Sequence, residues 1–157
     1  MASQTSAVLR AGHAKALDSS LKPDPRIESL SQLEWKIHAV SEGDLILPDC
    51  VALSIRSNST IPEPCVLTGL GKMNIVLFPL CAKKLLIGHR GQTSLPDVQG
   101  FNQAAAACSH TFFVSASKTE EIECLAESIS ELSKTAILEA VMRSVAASKT
   151  INQFIIY

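Results

Sequence analysis

The fold of this chain is decided by the stretch Ile75-Val-Leu-Phe-Pro-Leu-Cys-Ala-Lys-Lys-Leu-Leu-Ile-Gly-His-Arg-Gly91. Two apolar runs, Met73 to Leu80 and Lys84 to His89, are joined by a short connection, which is typical of neighbouring strands. Because they are the most hydrophobic strand patterns in the chain, we predict that they form the centre of a sheet. The second run ends in a turn that carries His89 and Arg90 between two glycines.

Further strand patterns lie on both sides of this hairpin. Leu33 to Val40 alternates apolar and polar side chains, as a half-exposed strand does. Asp44 to Leu47 and Cys50 to Ile55 are predicted as the next strands, and this succession of strands and turns predicts an antiparallel meander. Residues 56–72 are rich in Ser, Pro and Gly and are predicted as the longest loop. His110 to Ser115 is predicted as a later strand.

Two helices are predicted after the hairpin. Ser94 suits the N-cap of the first, which runs through Phe101 to Ala107. Ser117-Lys-Thr-Glu120 has the pattern of a capping box, and apolar residues then recur at helical spacing over about seven turns. For this stretch we favour one bent helix docked on the sheet. The alternative is a helical hairpin that breaks at Ser133-Lys134.

Each end of the chain carries a predicted element. The first 17 residues lack acids and include Arg10 and Lys15, as organelle-targeting peptides also do. A short surface helix from Ala7 to Leu17, followed by a proline-containing linker, is the simpler interpretation. At the other end, Ile151 to Tyr157 is apolar and β-prone, and it is predicted as an edge strand of this sheet or of another subunit.

These patterns predict an α+β fold with a mostly antiparallel sheet of about five to six strands. An N-terminal helix precedes the sheet, and two helices pack on it, the longer one C-terminal. The N-terminal helix and linker are assigned to residues 1–32 and the single α+β domain to residues 33–157.

Composition restricts the classes of function. The chain has 157 residues, of which 46% are hydrophobic and 18% charged, as in a folded globular domain. Its net charge of -1 predicts no nucleic-acid partner, because such proteins usually carry a basic excess. No apolar run reaches the roughly 18 to 20 residues that span a bilayer, so no membrane association is predicted. We expect a cytoplasmic protein without a cofactor.

Five cysteines are scattered along the chain without a Cys-x-x-Cys pair: Cys50, Cys65, Cys81, Cys108 and Cys124. This spacing predicts reduced, mostly buried thiols and no metal site, in preference to zinc bound by distant ligands. A catalytic cysteine at Cys50, Cys81 or Cys108 is the alternative to a core residue.

Four residues are candidates for ligand binding. His89 beside Arg90 suits a phosphate or carboxylate, with the imidazole as acid or base, and a solvated turn is the alternative. Asp49 interrupts an apolar run, where it can act as a base or a metal ligand, or cap nearby amides in a turn. Asn102 can orient a ligand, or satisfy a loop carbonyl as a buried amide.

Several short motifs follow one another in a recognisable order. They are a strand with Trp35, a strand interrupted by Pro48-Asp49, the strand Ile75 to Leu80 ending in Phe-Pro-Leu, a helix with Phe101-Asn102, and the strand Phe112-Phe-Val114. This order, over about residues 33 to 130, resembles the C-terminal half of a family of microbial proteins classified as a domain of unknown function.

The resemblance includes two departures from that family. Its members carry a Ser-Asp-Asn-Pro-like step, of which only Asp49 remains here, in Pro48-Asp49-Cys50. They also begin with a histidine-rich His-Tyr-Val-Pro stretch and a helical region, and this chain has no counterpart to these before residue 33. The resemblance implies a shared fold and no particular activity.

The excess of periodic apolar surface over reactive groups predicts a non-enzymatic binding or assembly module. We expect it to form a homo-oligomer, with a dimer favoured, through the C-terminal helix and tail. The alternative is a small enzyme or anion-binding protein that uses Asp49, His89 and Arg90 on a small-molecule or anionic ligand. That alternative requires the three side chains to converge.

Overall fold

The structure, a computed structural model, describes residues 25–68, 73–91 and 96–154. In chain order the elements are α1 (Pro25–Ser31), β1 (Glu34–Ala39), β2 (Leu47–Pro48), β3 (Leu53–Arg56), β4 (Pro62–Pro64), a 3-10 turn (Cys65–Leu67), β5 (Met73–Cys81), β6 (Lys84–His89), α2 (Val98–Cys108), β7 (Phe113–Val114), α3 (Glu120–Leu125), a second 3-10 turn (Ala126–Ser128) and α4 (Glu131–Phe154). The predicted α+β class is confirmed.

The main sheet has the strand order β1-β6-β5-β3-β4, and every neighbouring pair is antiparallel. The prediction that the two apolar runs form its centre is confirmed, since β5 and β6 lie inside the sheet. Leu77 of β5 lies opposite Leu53 of β3 on one side and Ile87 of β6 on the other. A separate pair, β2 with β7, places Leu47 opposite Val114.

The predicted meander was wrong, because β1 pairs with β6 and not with the segment that follows it. The predicted strand from Asp44 to Leu47 was also largely wrong. Leu45 and Ile46 are buried but join no ladder, since the Ile46 amide donates to the side chain of Asn102 at 3.0 Å. The chain thereby leaves the sheet after β1 and passes beneath α2.

The main core lies between the sheet and α2. Leu53, Leu77 and Ile87 from the three inner strands pack with Phe101 of α2, all at most 1% exposed. Ala105 and Ala106 on the same helix are completely buried. Their small side chains let the helix approach the sheet closely, and burying Phe101 stabilises the fold by about 1.5–3 kcal/mol.

The opposite face of the sheet is only partly covered. There α1 packs through Leu30 against Leu33, Met73 and Val76. The next row across three strands stays open, because Ile37 of β1, Leu86 of β6 and Phe78 of β5 lie opposite one another. We call the side chains of Trp35, Ile37, Phe78 and Leu86 the open sheet face.

The strand β1 was predicted with one buried face, and in this respect the prediction was wrong. All six of its residues are exposed, including Trp35 at 43% and Ile37 at 63%. The reason is that β1 is an edge strand, and its apolar residues Trp35 and Ile37 lie on the face of the sheet opposite α2.

The other edge strand, β4, is covered. Its sequence is Pro62-Glu63-Pro64, and α4 packs along it. Arg56 of β3 forms a two-point ion pair with Glu63, which is 6% exposed. A third bond of Arg56, 3.3 Å from its Nη2 to Glu139, links α4 to the same place. Residues 56–72, predicted as one loop, therefore contain a strand and a 3-10 turn.

Both predicted helix starts need correction. The helix α2 begins at Val98, and Asp97, not Ser94, is its N-cap, with its Oδ1 accepting from the Gly100 amide at 2.7 Å. The N-cap of α3 is Thr119, two residues after Ser117, with its hydroxyl accepting from the Ile122 amide at 3.3 Å. In each case the residue that caps the free amides lies closer to the first helical residue than the predicted serine does.

The segment predicted as one bent helix forms two helices, α3 and α4, so that prediction was wrong. The alternative break at Ser133-Lys134 was wrong as well. The break is at Ser130, which has a φ of 72° between α3 and α4. The Ser130 amide donates to the Ser109 carbonyl at 2.8 Å, and the Ser133 hydroxyl donates to the same oxygen at 3.1 Å. The end of α2 thus fixes the place where α4 begins.

The remaining predictions concern the two ends of the chain. The helix α1 lies within the segment predicted as helix and linker, and it starts at Pro25, a residue that suits the first position of a helix. The helix predicted for residues 7–17 lies outside the described residues. Ile151 to Phe154, predicted as part of an edge strand, continue α4 instead, and residues 155–157 lie outside the description. Across the described ranges, no helix has the length and apolarity needed to cross a bilayer.

Candidate functional site

Asp49 follows β2 and binds the loop that precedes β7. Its Oδ1 accepts from the His110 amide at 2.7 Å, and its Oδ2 accepts from the amides of Thr111 at 2.7 Å and Phe112 at 3.2 Å. Partial burial opposes ionisation of the carboxyl group, but the three amide bonds outweigh it and lower the pKa of Asp49. The carboxylate is therefore charged at neutral pH and fully occupied in holding the two segments together.

His89 and Arg90 lie where β6 ends. His89 Nδ1 is 2.8 Å from the Gly91 carbonyl oxygen, and Arg90 Nη2 donates to Gln32 Oε1 at 2.8 Å. Arg90 thus ties the turn to the residue after α1. Its Nε is buried without a hydrogen-bond partner in the described residues, and none of the described cavities is lined by Arg90.

Asn102 is 7% exposed and lies on the first half of α2. Its Nδ2 donates to the Asp44 carbonyl at 2.8 Å, and its Oδ1 accepts from the Ile46 amide at 3.0 Å. The side-chain amide thereby satisfies two backbone groups, the Asp44 carbonyl and the Ile46 N–H, in a segment that crosses the core without a strand partner. This geometry matches the buried-amide alternative.

The structure does not bring the candidate residues together. His89 lies opposite Ile75, at the first half of β5. The β2–β7 pair, next to Asp49, lines a small cavity with residues 79–82 at the other end of β5. Within the described ranges, no hydrogen bond or ion pair joins Asp49 to His89 or Arg90. A reaction that shares a proton or an anion among the three has no assembled site here.

All five cysteines are free thiols, but only Cys108 is buried, so the prediction of mostly buried thiols was wrong. Two of them, Cys50 and Cys108, lack the features of a reactive thiol. Burial is the main cause that raises the pKa of both Cys50 and Cys108 to about 12, so both thiols are protonated at neutral pH. Among the residues that the structure describes, no three His, Cys, Asp or Glu side chains are grouped for a metal ion.

The largest described cavity is a groove of about 1030 Å³ between α2 and α3. Its floor is apolar, with Val98 and Ile122, and its lining includes four carboxylates: Glu42, Asp44, Glu121 and Glu131. No Lys, Arg or His belongs to the described lining, but Lys83 Nζ pairs with Asp44 Oδ1 at 2.9 Å. The three other carboxylates still make the groove favour cations over anions, and Asn102 is the one candidate residue that lines it.

A second surface lies on α4. The side of this helix with Ser133 and Ala136 is buried against the domain, at 1% and 7% exposure. On the opposite side four apolar residues are exposed: Leu138 at 61%, Val141 at 53%, Met142 at 65% and Val145 at 49%. We call these four residues the α4 stripe. The helical spacing of the sequence predicted an apolar face that includes Val141 and Val145, but it did not indicate Leu138 or Met142, nor which apolar residues the domain leaves uncovered.

Comparisons with protein-family models, with curated proteins and with solved structures found no match to this chain. The resemblance to the microbial family therefore stays a prediction.

Proposed function

We propose that this chain is a non-enzymatic assembly module that forms a dimer through the α4 stripe. The observation that carries the proposal is the exposure of four large apolar side chains, between 49% and 65%, on one side of a helix. Monomeric proteins rarely leave such contiguous apolar surface in water, because burying it against a partner is favourable.

The spacing of the stripe supports a second copy as the partner. Leu138, Val141, Met142 and Val145 occupy positions i, i+3, i+4 and i+7, which form the seam of paired helices. Two identical stripes are complementary around a two-fold axis, so one surface suffices for a closed dimer. Helix α4 has 24 residues, which gives a length of about 36 Å along which two copies can align.

The polar network at the middle of α4 leaves the stripe available. Arg143 Nη2 donates to the Leu67 carbonyl at 2.8 Å, and Glu139 bonds to Arg56. These contacts hold the first half of the helix on the domain, while residues 141–146 are all exposed. Because residues 151–157 are also mostly apolar in sequence, the proposed interface includes this segment.

The size of the stripe sets the expected strength. A contact over two helical turns buries less than the roughly 1,200 Å² of a standard interface, which places it among weak complexes. We expect a dissociation constant of about 1–100 μM, equivalent to about 5–8 kcal/mol.

The test is sedimentation equilibrium of the full chain over a concentration series that brackets this range. The weight-average mass is expected to rise from 16.8 kDa toward twice that value. Val141→Glu places a charge in the centre of the seam and is expected to keep the mass at that of the monomer. Removing residues 150–157 is expected to weaken the dimer.

The matched control is Ile61→Glu, which makes the same kind of change at a residue that is 62% exposed outside α4. It is expected to dimerise as the unmodified chain does. A monomer at every concentration, or equal association of the unmodified chain and Val141→Glu, would contradict the proposal.

A further inference from the structure

The groove between α2 and α3 is a cavity that the proposed dimer does not use. Its volume of about 1030 Å³ is at the upper end of the roughly 300 to 1,000 Å³ that small-molecule sites occupy. Val98, Ile122 and Leu125 form its apolar floor, and each is half-buried and packs on the main core. The core therefore holds the floor in place, while part of its apolar surface stays uncovered.

The two ends of the groove are fixed by contacts along α2. At the first end Gly43 lies against Val98, since a Cβ added to this glycine would be 3.1 Å from Val98 Cγ1. At the other end the Ser130 amide donates to the Ser109 carbonyl at 2.8 Å, which places Glu131 beside the end of α2. Because α2 has 11 residues, the two ends lie about 16 Å apart.

The negative charges of the groove are spread over this length. Glu42 lies at the first end and Glu131 at the other, and Glu121 belongs to the wall that α3 forms. All three are exposed, whereas Asp44 is already paired with Lys83. Within the described residues, no three such groups are close enough together to hold a metal ion. The groove thus suits a long cation with separated charges in preference to a compact one.

An apolar chain with cationic ends matches this lining better than a basic peptide does. A methylene chain covers the floor and needs no hydrogen-bond partner. A peptide backbone would bury N–H and C=O groups against the same floor, and the peptide groups of a helix such as α2 already bond within the helix. Burying such groups unpaired costs free energy.

We propose that the groove binds a linear aliphatic polyamine. Its terminal ammonium groups lie at Glu42 and Glu131, an inner one lies near Glu121, and its methylene chain covers Val98 and Ile122. Spermine, whose extended chain is comparable in length with the groove, is the probe. Its binding is independent of the α4 stripe, since no member of the stripe belongs to the described lining.

The experiment titrates the full chain with spermine at low salt by isothermal titration calorimetry. Glu121→Gln combined with Glu131→Gln is expected to weaken binding about tenfold, because two exposed ion pairs are lost. The matched control is Glu120→Gln with Glu127→Gln, which removes two charges from the same segment at exposed residues outside the described lining. The control is expected to bind spermine as the unmodified chain does.

Two diamines of equal charge test the contact at both ends. Dodecamethylenediamine is long enough to reach from Glu42 to Glu131, whereas putrescine is not, so the longer diamine is expected to bind about tenfold more tightly. Glu131→Gln is expected to reduce this preference about threefold, because it removes the contact at the far end. Glu127→Gln is expected to keep the preference.

Three results would overturn the proposal. They are the absence of saturable spermine binding, equal affinities of the groove variant and its matched control, and an equal effect of Glu131→Gln on both diamines. A lysine tetrapeptide that binds more tightly than spermine would overturn it as well, since a basic peptide would then be the ligand.

Discussion

At the scale of single residues, Asp49 shows that the chemical type of a side chain does not determine its role. A carboxylate inside an apolar run is rare enough to attract a catalytic interpretation. Its two oxygens accept three amide bonds from residues 110–112, so the charge stabilises a turn. The same amides lower the pKa of the carboxyl group against the opposing effect of burial. Asp49 is thus a structural residue whose effect on stability depends on pH.

We expect Asp49→Asn to lower the free energy of unfolding by about 1–3 kcal/mol at pH 7, because an amide nitrogen then faces a backbone donor. The folded pKa lies below the unfolded value of about 3.9. The contribution of Asp49 is therefore present above that value and is lost as the pH falls through the lower folded pKa.

Urea unfolding of both chains from pH 7 to pH 2 measures this difference, which is expected to shrink below about pH 4. Glu127→Gln, at an exposed carboxylate, serves as the control for general charge effects. A difference that stays constant down to pH 2 would show that the ionised carboxylate is not the source.

At the scale of elements, the joint between α3 and α4 depends on one backbone conformation. Ser130 has a φ of 72°, in the left-handed region that costs most residues about 1 kcal/mol. The Ser109 carbonyl at the end of α2 accepts from the Ser130 amide and the Ser133 hydroxyl, which offsets this cost. The break is therefore a tertiary feature.

Ser130→Val is expected to lower the free energy of unfolding by about 1–2 kcal/mol, because a β-branched residue is strained at this φ. Ser130→Gly is the matched variant and is expected to be neutral or stabilising by up to about 1 kcal/mol. Urea unfolding followed by circular dichroism measures both. Equal stability of the valine and glycine variants would refute the assignment of strain to this position.

Local patterns were sufficient for elements whose partners are close in sequence. The β5–β6 hairpin was predicted almost to the residue, since a long apolar run and a tight connection define it. The errors concern segments whose hydrogen bonds come from far along the chain. The Ile46 amide donates to the side chain of Asn102, 56 residues away, and therefore not to a neighbouring strand. The helix ends at Ser130 because the Ser130 amide donates to the Ser109 carbonyl. Apolar periodicity carries no record of such partners.

At the scale of the whole molecule, the sequence did not give the strand order. Pairing β1 with β6 brings Trp35 beside Gly88, whose added Cβ would lie only 2.8 Å from the indole. The need for glycine there is visible only once the strands are paired. The candidate site was likewise limited by topology, because Asp49, His89 and Asn102 were chosen by chemical type and lie in three places.

Dimerisation is expected to make thermal stability depend on concentration, because binding of folded copies shifts the unfolding equilibrium. A tenfold increase in concentration above the dissociation constant is expected to raise Tm by about 1–3 °C. Scanning calorimetry at two concentrations measures this shift. Val141→Glu is expected to show no shift, and the same shift in this variant would mean that association does not use the α4 stripe.

The two proline residues of β4 have a consequence for how the sheet can grow. Pro62 and Pro64 lack amide hydrogens, so this edge offers few donors to another strand, and α4 lies along it. Indefinite cross-β growth requires that both edges of every unit accept a neighbour. Among the described strands of the main sheet, only β1 is left free to accept a neighbour, so growth of this sheet by strand addition is blocked at the β4 edge.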